Sequence, residues 1–219
     1  MQDSREADGI DRRRVLGLGA AVGASVWGAT RAQAAAVGAK IEAGDVAEIT
    51  REWPEAARAA AADMLRKYGP PQEATARLLI WRDNGPWKRT VVHRDAADHA
   101  FATPHKDVLE QVVEYKVPLN FFNALAVYNG SVLADRTRGE LVAHCDKETT
   151  NFLALNLAHD IVRGRLTAEQ AREAHTRALQ ELMAGKSPDY TQKLMIGSPQ
   201  GELADPDTPT IPGTNANPR

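Results

Sequence analysis

The stretch TTNFLALNLAHDIVR, residues 149–163, constrains this chain more than any other. It has helical character, and Phe152, Leu153, Leu155, Leu157, Ile161 and Val162 place apolar side chains around nearly its whole circumference. A helix that is apolar on every side is a buried helix, so the rest of the chain must supply the surfaces that cover it. A second helix follows after Gly164 and opens at Thr167, with Gln170 three residues on, the pattern of a capping box. Its stripe is Ala171, Ala174, Ala178, Leu179 and Leu182, and Gly185 ends it. The short link between the two predicts an antiparallel helical hairpin.

Upstream, ARLLIWRDNGPWKRTVVHR reads as a β-hairpin, with Asn84-Gly85 as the two-residue turn between two runs of β-formers. Pro86 suggests that the return strand begins at a sheet edge. A helix is expected from Pro54 to just before Gly69, with Ala57, Ala61, Met64, Leu65 and Tyr68 inward. Residues 94–104 read as a loop, and Thr103-Pro104 as the start of a helix running to about Tyr115. LNFFNAL reads as one further helical turn. LAVYNGSVLADRTRGELVAHC reads as three strands turning at Asn129-Gly130 and Arg138-Gly139. Hairpins with helices before, between and after them predict the α+β class: one antiparallel sheet of two hairpins, helices on one face and a C-terminal helical hairpin.

The N-terminus carries an address. Arg12, Arg13 and Arg14 precede a mildly apolar stretch over residues 15–29 and an A-x-A pattern at Ala32-Gln33-Ala34. Fifteen helical residues are too short to cross a hydrocarbon core of about 30 Å, so no permanent membrane span is expected. Arg12-Arg13 resembles the twin-arginine (Tat) signal for export of folded proteins. Asp11, Val15 and Gly17 depart from its usual residues, while Leu16 and Arg31 fit it. The resemblance implies a periplasmic location, contact with the twin-arginine export machinery and signal peptidase, and the opportunity to carry a cofactor acquired before export. The expected layout is a signal peptide over residues 1–34, a linker or weak helix over 35–52, one α+β domain over 53–196 and a disordered Pro-rich tail over 197–219.

Composition narrows the function classes. The net charge of −2 leaves no electrostatic footprint for nucleic acid. Cys145 is the only cysteine, so no internal disulfide forms.

Four features carry chemistry. HRDAADHAFATPHKD collects His93, His99 and His105 with Asp95, Asp98 and Asp107, and a divalent transition metal at His99, His105 and Asp107 is the leading expectation. His99 and His105 match no standard zinc spacing, so the segment must fold back for both to reach one ion, with Phe101 and Pro104 as anchors. HCDKE sets Cys145 at a strand end before the buried helix, as a nucleophile or a small buried hydrophobe. A two-residue turn at Arg138-Gly139 sets residue 137 opposite 140 and Val132 opposite Cys145, so alternation puts Cys145 on the face of Val132, Ala134, Leu141 and Ala143 and His144 on the other, and a base for Cys145 would come from the 93–105 segment. Asn156, His159 and Asp160 form a polar seam on the apolar helix, as a ligand-binding wall or a solvated edge. Trp81, Trp87, Phe121, Phe122 and Tyr128 could wall a pocket, or be plain core. Asp135 and Glu140 flank a tight turn and read as solvated.

At PHKDVLEQVVEYKVP, GELVAHCDKE and NFLALNLAHDIV the chain resembles uncharacterised exported bacterial proteins, over about residues 53–195. The resemblance implies a distinct domain type and no mechanism. The expected function is therefore a periplasmic binding or accessory protein, with two alternatives: a Cys145-dependent enzyme, or a structural partner-binding protein with no small-molecule site.

Overall fold

Alternation and turn chemistry organise the chain around one antiparallel sheet. The computed structural model describes residues 41–197, 202–203 and 207–211. The elements run α1 (Ala43–Thr50), α2 (Glu55–Tyr68), β1 (Glu73–Ala74), β2 (Leu78–Asn84), β3 (Trp87–His99), β4 (His105–Glu114), α3 (Phe122–Tyr128), β5 (Val132–Asp135), β6 (Glu140–Cys145), α4 (Glu148–Val162) and α5 (Ala168–Met183). The six strands lie in the order β1-β2-β3-β4-β6-β5, and every neighbouring pair is antiparallel. The fold is α+β, as the sequence implied. The signal segment lies outside the described residues. Within 35–52, Ala43–Thr50 is helical, and of the 197–219 tail the described residues are 197, 202–203 and 207–211.

The helices read from sequence fall where their punctuation puts them. Pro54 precedes α2 and Gly69, at φ +75°, ends it. Thr167 and Gln170 close a reciprocal capping box at the start of α5, worth about 1 kcal/mol. In α4, twelve of fifteen residues are buried. Phe152 stacks on Trp87 with ring centroids 5.0 Å apart, a contact worth about 1 kcal/mol beyond its area.

Gln111, fully buried on β4, shows that α2 and α4 cover the same face of the sheet. Its amide nitrogen lies 3.9 Å from Met64 Sδ of α2 and donates to Glu148 of α4 at 3.2 Å. Its carbonyl accepts from Asn151 Nδ2 of α4 at 3.1 Å.

Readings of the middle of the chain are corrected at several points. Residues 105–114 are a strand, not a helix. Leu109, Val112 and Val113 have helical spacing, but Val108, Leu109, Gln111, Val112 and Val113 are all buried, so this interior strand buries apolar residues on both faces and alternation is lost. β3 continues to His99, so the loop before β4 is confined to residues 100–104. The helical turn expected at LNFFNAL continues as α3 through residues 125–128, which are not a strand, because Leu125 and Tyr128 reach inward at helical spacing. The first hairpin turns at Gly85-Pro86, since Asn84 pairs with Trp87. Pro86 thus sits in the turn, and β3 is an interior strand. The second hairpin pairs Asp135 with Glu140 and Val132 with Ala143, a two-residue change from the expected register that leaves Cys145 on the same face.

A candidate metal centre between β3, β4 and β5

The ends of β3 and β4 carry the histidines read from the sequence. His99 pairs with His105 across the two strands, so their side chains share a face, and their ring centroids lie 4.9 Å apart. Asp107, two residues along β4, points the same way. His105 Nε2 lies 3.1 Å from Asp107 Oδ1, and His99 Nδ1 lies 3.5 Å from Asp107 Oδ2. One ligand atom from each residue falls within 4.8 Å of the others. The fold-back that the spacing demanded is a tight β3–β4 connection. Phe101 anchors it against His175 at 4.9 Å between centroids, and the Arg172 guanidinium lies 3.9 Å over its ring.

Asp107 is buried, its side chain 7% exposed. Ser131 Oγ donates to Asp107 Oδ2 and sits 3.1 Å from His99 Nδ1. His105 Nδ1 bonds the Thr103 carbonyl at 2.8 Å. What remains is unusual. Among the described residues, four buried side-chain polar atoms have no hydrogen-bond partner, and two of them are His105 Nε2 and Asp107 Oδ1. They face each other at 3.1 Å without the alignment of a hydrogen bond. An unsatisfied buried polar atom costs about 1–3 kcal/mol. With each donor ~2.1 Å from a shared ion, a 3.1 Å separation subtends roughly 95°, close to the angle between neighbouring octahedral ligands.

The electrostatics follow from this packing. Contact with Asp107, then with the Cys145 sulfur, raises His105 to about 11 against burial. Burial lowers His99, opposed by Asp107. Burial pushes Asp107 up, and the contacts with His105 and Ser131 outweigh it, so the carboxylate stays charged. His175 is lowered to about 4 by burial first, then by His105 and His99. Its Nδ1 lies 2.9 Å from Tyr128 Oη. A metal taking His105 Nε2 must displace a proton held there, so affinity falls with pH.

The centre opens onto a cavity of about 400 Å³. Cys145 and the first turn of α4 (Thr149, Thr150) line one side, and Leu179, Leu182 and Met183 of α5 line another. The Cys145 sulfur is half-buried and approaches Asp146 Oδ1 at 3.5 Å. The sulfur also lies beside the His105 ring, whose Nδ1 is held by the Thr103 carbonyl.

The Asn156–His159–Asp160 seam lies elsewhere and is filled by the chain itself. Asn156 Nδ2 donates to the carbonyls of Tyr190 and Lys193 at 3.0 and 2.8 Å, and its Oδ1 accepts from Met195 N at 2.7 Å. Asp160 accepts from Arg165 at 2.9 Å and from the Tyr190 hydroxyl. His159 Nδ1 lies 2.9 Å from Tyr115 Oη. Trp81 and Trp87 are core residues, 1% exposed, each with its indole N–H bonded. Glu140 is 3% exposed and paired with Lys88 and Arg89.

Sequence reasoning passed over Ser131 and His175. Ser131 sits just after the Asn129-Gly130 turn and His175 inside an ordinary amphipathic helix. Neither has a local signal, because each reaches the site from a remote part of the chain. No protein-family model matches the chain, no curated protein matches its sequence and no solved structure matches its fold.

Proposed function

We propose that this is an exported, periplasmic binding or accessory protein that holds a divalent transition metal on His99, His105 and Asp107 and offers it to a small ligand in the adjoining cavity. One observation carries the reading: His105 Nε2 and Asp107 Oδ1 are buried, unsatisfied and 3.1 Å apart, with His99 on the same carboxylate. Imidazole donors select borderline ions such as zinc, copper, nickel or ferrous iron over calcium or magnesium. Ser131 orients both Asp107 and His99, the arrangement that outer-shell partners provide in metal sites. Export in the folded state by the twin-arginine machinery, followed by signal-peptidase cleavage, fits a protein that collects its ion before export. No helix among the described residues is long and apolar enough to cross a membrane.

The test is elemental analysis of protein purified from the periplasm of a twin-arginine-competent host, with no metal or chelator added. Near-stoichiometric metal that disappears in the His99→Ala, His105→Ala double variant supports the reading. Metal-free protein whose stability is unchanged by either substitution overturns it. A second reading, thiol chemistry at Cys145, draws on the sulfur's place beside His105 in the same cavity. It requires that a thiol reagent reach Cys145 in the folded protein, and a sulfur that reacts only after unfolding removes it.

A further inference from the structure

β3 carries an irregularity that divides its histidines. Val92 pairs with Leu109 and Ala97 with Asp107, so five steps along β3 match two along β4, and three residues are extra. Side chains alternate with period two, so an odd insertion reverses the face. His93 and His99 are six residues apart and would share a face in a regular strand. The insertion sends His99 to the helix-covered face and leaves His93 on the opposite one.

On that opposite face two further residues meet His93. Glu110 lies between Leu109 and Gln111, which face the helices, and His144 lies between Ala143 and Cys145, which do the same. Glu110 pairs with His144 across β4 and β6. His93 Nε2 lies 3.2 Å and His144 Nε2 3.5 Å from the same atom, Glu110 Oε2. One ligand atom from each of the three falls within 4.8 Å of the others. The other carboxylate oxygen, Oε1, accepts from Arg89 Nε and Nη2 at 3.3 and 3.2 Å. Arg89 therefore fixes the carboxylate and leaves Oε2 turned to the imidazoles. Arg89 also pairs with Glu140 at 3.4 Å, which offsets its charge.

We propose that His93, Glu110 and His144 form a second metal site, on the sheet face opposite the first, for a divalent transition ion. The donor set is two imidazoles and a carboxylate, which suits zinc, copper, nickel or ferrous iron. With donors ~2.1 Å from the ion, the 3.2 and 3.5 Å separations subtend roughly 100° and 113°, spanning the tetrahedral angle. The three side chains are 33%, 16% and 25% exposed, so an ion has access and the remaining coordination positions face outward. The site stands independently of the first, sharing no residue with it.

The test is titration of chelator-treated full-length protein with Co(II), followed by calorimetry and visible absorption. Two equivalents are expected in the unaltered protein. The His99→Ala, His105→Ala variant should retain one, and the His93→Ala, His144→Ala variant should lose one while keeping native far-UV circular dichroism. Glu110→Gln preserves the shape of the cluster and should weaken the corresponding equivalent at least tenfold. A single equivalent abolished by His99→Ala, His105→Ala overturns the proposal. So does a His93→Ala, His144→Ala protein that still takes both, or a Glu110→Gln protein that binds both unchanged. One equivalent that survives loss of His99 and His105 and vanishes in Glu110→Gln supports the second site even where the first fails.

Discussion

Two buried carboxylates stand on the helix-covered side of this sheet, and they are treated in opposite ways. Glu148, in the first turn of α4, is surrounded by donors. Lys67 and Tyr68 of α2 donate to it, Tyr68 at 2.5 Å, as do Trp87 of β3 at 2.6 Å and Gln111 of β4 at 3.2 Å. These contacts draw the carboxyl below its ordinary range despite burial, while burial and then the bond to Glu148 push the Tyr68 hydroxyl well up. Asp107 receives Ser131 on one oxygen and nothing aligned on the other. A fully satisfied network ties elements together, whereas a half-satisfied one is destabilising unless something completes it. Glu148 is therefore a structural knot joining α2, β3, β4 and α4, whereas Asp107 keeps an oxygen open for the ion proposed above.

The largest effect expected from this contrast is on stability. Glu148→Gln should cost about 3 kcal/mol in urea denaturation, because it removes a charge on which four donors converge. Metal content per folded molecule should be unchanged. A loss below about 1 kcal/mol would mean the knot is no more structural than the site.

Asp107→Asn should do the reverse. Metal affinity should fall about a hundredfold, equivalent to about 2.7 kcal/mol, while the stability of the metal-free protein changes by less than about 1 kcal/mol. Competition with a chromophoric chelator measures the first and thermal unfolding the second. Metal-free Asp107→Asn that unfolds as readily as Glu148→Gln would erase the distinction.

The Asn156 seam offers a third, intermediate case. All its polar capacity goes to residues 190–195. Asn156→Ala should cost about 2 kcal/mol and expose the segment after α5 to proteolysis, leaving Co(II) binding unaltered. Altered Co(II) binding would show that this seam communicates with the metal centre.

The smallest effect is a pH dependence. His175 has a folded-state pKa lowered to about 4 from an ordinary 6.5. Below pH 6.5 the unfolded chain takes up this proton and the folded one does not. Its contribution is thus complete above pH 6.5 and is lost as pH falls toward 4, on the order of 1 kcal/mol for each pH unit crossed. In metal-free protein, His175→Gln should flatten the stability–pH slope in that window. An unchanged slope would show that His175 already titrates normally.

Much of the frame was legible because it rests on local chemistry. Proline before α2, glycine after it and the Thr167–Gln170 box act over three or four residues, and α2 and α5 follow them. The middle of the chain was not legible. In KDVLEQVVEY the apolar residues fit a helical stripe and a doubly buried strand equally well. Only the neighbouring strands β3 and β6 decide for the strand, by pairing with it on both sides.

The site divides the same way. His99, His105 and Asp107 could be grouped because they are near in sequence and chemically suited, and Cys145 could be assigned a face because alternation survives a two-residue register change. The rest depended on the fold. Ser131 reaches His99 and Asp107 from 32 and 24 residues away. The β3 insertion, visible only in the pairing of β3 with β4, sends His93 to one face and His99 to the other. The sequence by itself determined which side chains can bind and where the helices start and stop, since propensity and capping are local. The tertiary structure alone decided which of those side chains meet, since strand register is a property of two distant segments at once.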